Sequence, residues 1–401
     1  MSSIKLKGST SGDITISAPA VAGTNTLTLP AQTGTVPISN VEFVTQRKTA
    51  TPIIINGNMA IAQRATSGTY TGTEDEIETC DRWKGFIGSA GTFTNTQDSD
   101  VPTGYGFAKS WKLDCTTADG SLSSTDFFYV RQKIEGQNLQ VFKKGTSNAE
   151  AFTLAFWVKS HVTGTFTCEL EDHDNSRSAS KSYTVSSANT WEKKVISFPA
   201  DTSGAFGNDN GASLSVKFWL AAGTGFSSGT LQETWDTTTT TEQVASGQVN
   251  LASSTDNNWW FTGVQLEVGT FDSNSIPAFQ FEDRGTSLMR CYRYFYKDVA
   301  NAPYSVFGAG FQGGSTIGHT VINFPTTMRA LPTMASSGDF QLIIGSSKTV
   351  TSLAFDGNSR SLNNCRADCT VGGGGLTPTG GGTILRAYNN AASFISAEAE
   401  L

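Results

Sequence analysis

The chain has 401 residues with Lys+Arg 28 against Asp+Glu 35, a formal charge of −7, 37% hydrophobic and 16% charged residues, and 41 glycines. This length suits two or three domains at about 100–200 residues each, and the Thr-, Ser- and Gly-rich mix disfavours helix. Mild acidity argues against a nucleic-acid partner, and without an apolar run near the about 20 residues of a membrane span neither membrane insertion nor a signal peptide is expected.

Residues 1–44 carry three short alternating stretches, with Ile4 and Leu6, Ile14 and Ile16, then Leu27 and Leu29 as their apolar members. So few apolar groups cannot build a core. This leader is expected to order only against another surface, either a partner or other copies of itself.

From residue 45 an all-β series begins. Asn56-Gly57 between the apolar runs Ile53-Ile54-Ile55 and Met59-Ala60-Ile61 predicts a hairpin. Strands are expected at 107–115, 127–134, 152–159, 165–170, 182–185, 191–198, 214–221 and 260–268. Many strands with polar turns and no βαβ alternation predict a two-sheet jelly roll over 45–283. In 284–301, Leu288, Cys291, Tyr292 and Phe295 recur at helical spacing, which predicts a short linking helix capped by Thr286 or Ser287. Residues 302–401 form a Gly-rich second β domain, with strands expected at 305–311, 316–324, 340–344, 349–355, 383–388 and 393–397.

The six cysteines are too thinly spread for a disulfide scaffold and are expected as reduced, mostly buried thiols. Cys365 and Cys369 lack the second pair or histidine that would complete a zinc set, and no metal or cofactor is expected. Glu169 and Glu171 fall on one strand face about 7 Å apart, near glycosidase spacing. The run leads into Asn175-Ser176-Arg177-Ser178, so an exposed turn is the expectation and a glycan-cleaving enzyme the alternative. With three histidines, His161, His173 and His319, a triad or metal site has little to draw on.

Several motifs bring a family into view. Ile4-Lys5-Leu6-Lys7-Gly8-Ser9-Thr10, continuing to Leu27-Thr28-Leu29-Pro30, resembles the leader of tail-fibre proteins of tailed bacteriophages, cyanophages among them. Asn56-Gly57-Asn58-Met59-Ala60-Ile61-Ala62-Gln63-Arg64 with Asp81-Arg82-Trp83 is similar to the opening of the jelly roll in such fibres. Thr262-Gly263-Val264-Gln265-Leu266-Glu267, Phe281-Glu282-Asp283-Arg284 and Cys291-Tyr292-Arg293-Tyr294-Phe295 resemble its close. The resemblance covers roughly residues 1–296. It implies a homotrimeric virion protein made in the host cytoplasm, docked on a phage tail protein through the leader and facing a host glycan or protein with its C-terminal end. A structural neck or capsid appendage without a receptor is the remaining alternative.

The central domain also looks like a carbohydrate-binding-module jelly roll, and strand parity proposes its surface. Phe152, Leu154, Phe156 and Val158 share one face, as do Leu214, Val216, Phe218 and Leu220. Trp157 and Trp219 are then expected to face outward, and Trp259 to oppose Trp260, Val264, Leu266 and Val268. Outward indoles suit stacking on sugar rings. Primary host contact is expected in the distal domain, because loops on a β scaffold vary freely. Its candidate residues are Tyr304, Phe311, Gln312, His319, Arg360, Asn363, Asn364, Arg366 and Tyr388.

Overall fold

The computed structural model describes residues 3–7, 13–17, 47–76, 79–378 and 380–401. The chain divides into two units, Met1–Phe43 and Val44–Leu401. In the first unit β1 (Ser3–Lys7) pairs antiparallel with β2 (Asp13–Ser17), Ile4 opposite Ile16 and Leu6 opposite Ile14. The third stretch, with Leu27 and Leu29, lies outside the described residues.

The second unit opens with a two-sheet sandwich. Its strands are β3 (Ser67–Tyr70), β4 (Thr73–Glu76), β5 (Lys84–Gly88), β6 (Thr92–Asp98), β7 (Ser110–Thr117) and β8 (Phe127–Glu135). They continue with β9 (Phe152–Ser160), β10 (Gly164–Asp172), β11 (Arg177–Val185), β12 (Glu192–Phe198), β13 (Ala212–Ala222), β14 (Asp236–Thr237) and β15 (Asn258–Val268). One sheet runs β12-β9-β15-β7-β6-β3 and the other β14-β11-β10-β13-β8-β5-β4. The chain crosses repeatedly between them, as a jelly roll does. Between the sheets lie the alternate residues that parity selected, including Phe152, Leu154, Phe156, Val158, Leu214, Val216, Phe218 and Leu220. Each contributes about 1.5–3 kcal/mol through burial.

Parity fails in β15, and a bulge explains it. The pairing of β15 with β9 slips between Thr262 and Gln265, where Gly263 sits at φ 63°. Before the slip Trp259 and Phe261 face the core, and after it Val264, Leu266 and Val268 do. One inserted residue thus swaps the faces, and Trp260 rather than Trp259 points outward.

The expected hairpin at Asn56-Gly57 is also absent. Residues 53–61 form a buried turn closed by Met59 N–H to Asn56 O at 3.1 Å. The Asn56 side chain bonds both the N–H and the C=O of Ile61, at 2.9 Å each, and Val264 N–H donates to Gly57 O. A side chain at position 57 would strike Val264 O, so this glycine serves close packing instead of a strand reversal.

Two helices complete this part. The one-turn α1 (Thr224–Ser227) lies in the segment after β13, and α2 (Arg284–Tyr292) follows the sandwich. The cap of α2 is Asp283, whose carboxylate accepts from Thr286 N–H at 3.0 Å; Thr286 and Ser287 are inside the helix. The helix ends within the 284–301 linker, and β16 (Phe295–Val299) follows at once.

Six of the next strands close a barrel: β17 (Val306–Gln312), β18 (Ile317–Asn323), β20 (Phe340–Ile343), β21 (Ser347–Arg360), β22 (Asn364–Val371) and β23 (Gly382–Ala387). Around it they run β17-β18-β22-β21-β20-β23, while β19 (Thr333–Ser337) and β24 (Phe394–Glu398) join β16 in a three-stranded sheet. No strand was expected at 364–371. Cys365, Ala367, Cys369 and Val371 fill the barrel with small side chains, a weak β signal beside their charged neighbours. All six cysteines are buried thiols.

Candidate functional site

The outer face of the six-stranded sheet gathers aromatic rings among opposite charges. Strand pairing sets Lys193, Trp157 and Thr262 in one row and Lys159, Trp260 and Lys112 in the next. Half-buried Trp157 lies 4.3 Å from the ring of Tyr105, which is 56% exposed. Phe107 continues the ridge, 5.2 Å from Phe281. On the other side Trp191 Nε1 donates to Asp100 Oδ1 at 2.9 Å, and Trp260 Nε1 to Asp98 Oδ2 at 3.0 Å. Lys159 pairs with Asp100 and sits 4.1 Å over the Trp260 ring.

Each part has a local cause. The Gly263 bulge leaves room that a Cβ would take from Phe107 and Trp157, so both rings fold over the backbone there. Gly104 and Gly106, both at positive φ, turn the chain so that Tyr105 stands out. Burial works against the Asp98 carboxylate, but Trp260 Nε1 and the amides of Asp100 and Ser99 outweigh it and hold it below its ordinary range. The Trp191 and Trp260 indoles are fixed through their N–H groups, and Tyr105, Trp157 and Trp191 keep exposed or half-exposed surface. Flat apolar rings beside fixed polar groups suit a sugar ring, whose C–H face stacks while its hydroxyls hydrogen-bond. Tyr105, Trp191 and Trp260 escaped parity reasoning; the Gly-Tyr-Gly triplet was the available signal for the first.

The other tryptophans singled out from sequence are not available. Trp259 is 0% exposed in the core, for the bulge reason given above. Trp219 does point away from the core, yet it is 1% exposed beneath a cover that includes Phe226 of α1 and Val244. Its Nε1 donates to Glu169 Oε2 at 2.8 Å.

Glu169 is therefore not on an exposed turn. It is fully buried, receives Gln243 Nε2 at 3.0 Å and faces Lys217, which also pairs with Glu171 at 2.9 Å. Burial pushes the Glu169 carboxyl up, with Glu171 adding to the rise and Lys217 opposing it. For Glu171 burial acts the same way, but Lys217 outweighs it and the carboxyl lies low. The pairing of β10 with β13 and the 223–248 segment cover Glu169, while Glu171 keeps 22% of its side chain exposed.

The distal candidates separate into groups. Gln312 is buried and structural: its Oε1 accepts from Thr377 N–H at 2.8 Å. Phe311 is 55% exposed, 5.1 Å from the His319 ring, and His319 Nδ1 lies 2.6 Å from Asp368. Arg366 bridges Asp356 and Asp368. Tyr304 and Tyr388 are exposed 6.5 Å apart, with Arg386 over the Tyr304 ring. Asn363 and Asn364 are exposed in a turn fastened to Phe324 and Met328, while Arg360 reaches Pro332 O. Because Arg329 nearby bonds Asn210, this turn lies at the jelly-roll end of the barrel. The glycine loop at 372–376 gathers with 313–316 at the opposite end. Among the described residues no cluster could hold a metal ion. A cavity of about 280 Å³ between 48–53, 137–141 and Arg290 is polar, and its cations are already engaged by Glu150 and Glu282.

No family model matches the chain, and no curated protein does. One similar solved structure is the enzymatically active domain of tailspike protein 4 of bacteriophage CBA120, at 15% identity and TM-score 0.29, covering 54% of this chain and 21% of that one. Another is the family 11 carbohydrate-binding module from Clostridium thermocellum in complex with a mixed-linked tetrasaccharide, at 10% identity and TM-score 0.26, covering 51% and 97%. A third is the CBM22-1-GH10 portion of xylanase 10B from the same organism, complexed with xylohexaose, at 13% identity and TM-score 0.25, covering 51% and 29%. The chain spans about a fifth of the tailspike chain it matches. At TM-scores this low the likeness says nothing of function.

Proposed function

We propose that this chain is a non-enzymatic attachment protein of a phage virion, a homotrimeric tail fibre that binds a host-surface glycan and docks on the tail through residues 1–44. The observation that carries the glycan reading is the outer face of the six-stranded sheet, where Tyr105, Trp157 and Trp191 present ring surface between the Asp100–Lys159 pair and Lys193. Binding without cleavage is favoured because Glu169, one of the two carboxylates, is closed off behind Trp219 and Gln243. The virion role rests on the sequence motifs.

Affinity electrophoresis in gels carrying host polysaccharide tests the binding. The full chain is retarded, and Trp157→Ala with Trp191→Ala weakens retention at least tenfold, about 1.4 kcal/mol, with an unchanged circular-dichroism spectrum. Unaltered retention in that double variant would overturn the site. Sustained release of reducing ends that disappears in Glu169→Gln would overturn the non-enzymatic reading. Deleting residues 1–44 is expected to leave glycan binding intact and abolish incorporation into virions.

A further inference from the structure

The barrel end away from the sandwich carries an uncompensated charge, and strand parity sets which side chains enter there. Outward on β23, β17 and β18 stand Ile384, Ala309 and Val321, paired in one row. Thr383, next to Ile384 in β23, therefore points inward, and it is 2% exposed. Phe340 and Leu342 of β20 lie in the barrel core, and pairing puts Val350 opposite the first and Lys348 opposite the second. Directly opposed residues share a face, so Lys348 also enters the barrel. Gln312, buried opposite Gly318, is the third polar group at this end.

The three are not equally satisfied. Gln312 accepts from Thr377 N–H at 2.8 Å and donates to Gly381 O at 3.3 Å. Thr383 Oγ1 is buried without a partner. The Lys348 ammonium is half-buried, and among the described residues it has neither a carboxylate nor a carbonyl partner. The carboxylates of the barrel strands, Asp356 and Asp368, are held by Arg366. Lys348 reaches instead to the loop after β22, where a Cβ on Gly375 would lie 2.7 Å from its Nζ. Gly373, Gly374 and Gly375 stand at φ 74°, 66° and 87°, a run that other residues adopt only with strain. Among the described residues their N–H groups meet no acceptor. An ammonium and a hydroxyl thus lose hydration that the chain does not replace. A water satisfies the hydroxyl but not the charge.

We propose that this end of the barrel binds an oxyanion, with Lys348 Nζ as its ion-pair partner and the Gly373–Gly375 N–H groups and the Thr383 hydroxyl as donors. Backbone N–H groups of a turn beside a cation suit such a ligand, and barrel mouths are common places for ligand sites. The carboxylate of a uronic acid and the phosphate of a surface polymer share this chemistry. The site rests on the barrel alone and takes nothing from the aromatic face of the sandwich.

The full chain is titrated by calorimetry with inorganic phosphate and, separately, with galacturonate, at an ionic strength held constant with chloride. Acetylation of Lys348 by acetic anhydride is read in parallel by mass spectrometry. At least one of the two anions is expected to bind and to slow acetylation of Lys348 at least fivefold, while Lys143, whose side chain is 53% exposed, reacts unchanged. Binding of phosphate alone assigns a phosphorylated polymer, and of galacturonate alone a uronate. Lys348→Met weakens binding at least tenfold and Thr383→Val at least threefold, each with unchanged circular dichroism, while Lys348→Arg retains it. Binding no better than that of chloride, equal slowing at both lysines, or an affinity indifferent to Lys348→Met and Thr383→Val overturns the proposal. Trp157→Ala with Trp191→Ala is expected to bind the anion as wild type does, whatever becomes of polysaccharide retention, so this site and the glycan reading fail separately.

Discussion

Asp81 is a carboxyl that the fold buries to 1% exposure. Burial is the chief cause that pushes it up to about 6; bonds from the Gln63 backbone and side chain and the charge of Arg64 oppose the rise, and Glu400 adds to it. An acid raised in the folded state binds its proton more tightly there than in the unfolded chain. Its penalty therefore accrues as pH rises from about 4 through about 6 and is complete above that. Wild type is expected to gain roughly 2 kcal/mol relative to Asp81→Asn between pH 7.5 and pH 4.5. Urea unfolding of both proteins across that range checks it, and parallel curves would show that Asp81 is not the titrating group.

At the scale of the element, the β15 bulge decides what the sheet displays. Gly263→Ala would hold an L-residue at φ 63° and place a Cβ 2.5 Å from the Phe107 ring. The left-handed backbone alone costs roughly 1–2 kcal/mol. The variant is expected to lose at least that in urea titration, and to weaken polysaccharide retention because Phe107 and Trp157 must shift. On the opposite sheet, Lys217 is buried between Glu169 and Glu171. Lys217→Met leaves a buried carboxylate uncompensated and is expected to cost about 3–5 kcal/mol. Adding Glu169→Gln should recover most of that loss; a double variant no better than the single would place the cost in packing.

Across the whole second unit, the sandwich and the barrel meet through buried charge. Arg82 pairs with Glu400, donates to Lys133 O at 2.6 Å and lies 3.4 Å over the Tyr294 ring. Arg293 forks onto Glu135 with two bonds of 2.7 Å, and Tyr294 Oη donates to the same carboxylate at 2.5 Å. Arg329 ties Ala399 O and Glu400 O to Asn210 O. Leu401 packs with Ile55, Ile61 and Cys291. The Arg82–Glu400 pair joins residues 318 apart in sequence, so the two β bodies are expected to unfold in one calorimetric transition. Arg82→Leu removes one partner of a buried pair, which costs about 3–5 kcal/mol, and should split that transition in two. A single transition at an unchanged temperature would mean that the junction is held elsewhere.

The sequence by itself determined the all-β class, the sandwich followed by a short helix, the Gly-rich second β region and the core faces of β9 and β13. These follow from a two-residue period and helical spacing, which are local properties of the chain. It also marked Trp157 as outward. Only the tertiary structure decided the rest. Trp259 turned inward because a bulge, invisible to alternation, reverses the faces of β15. Trp219 and Glu169 lost solvent because a segment carrying Phe226, Gln243 and Val244, distant from Glu169 in the chain, folds over them. The expected hairpin became a buried turn because Gly57 meets Val264, a contact set by packing. The aromatic face drew Tyr105, Trp157, Trp191 and Trp260 from separate stretches, and barrel closure set Ile384, Ala309 and Val321 side by side. Such groupings depend on which strands become neighbours, and neighbour choice is made by the cooperative burial of the whole core, which no local pattern encodes.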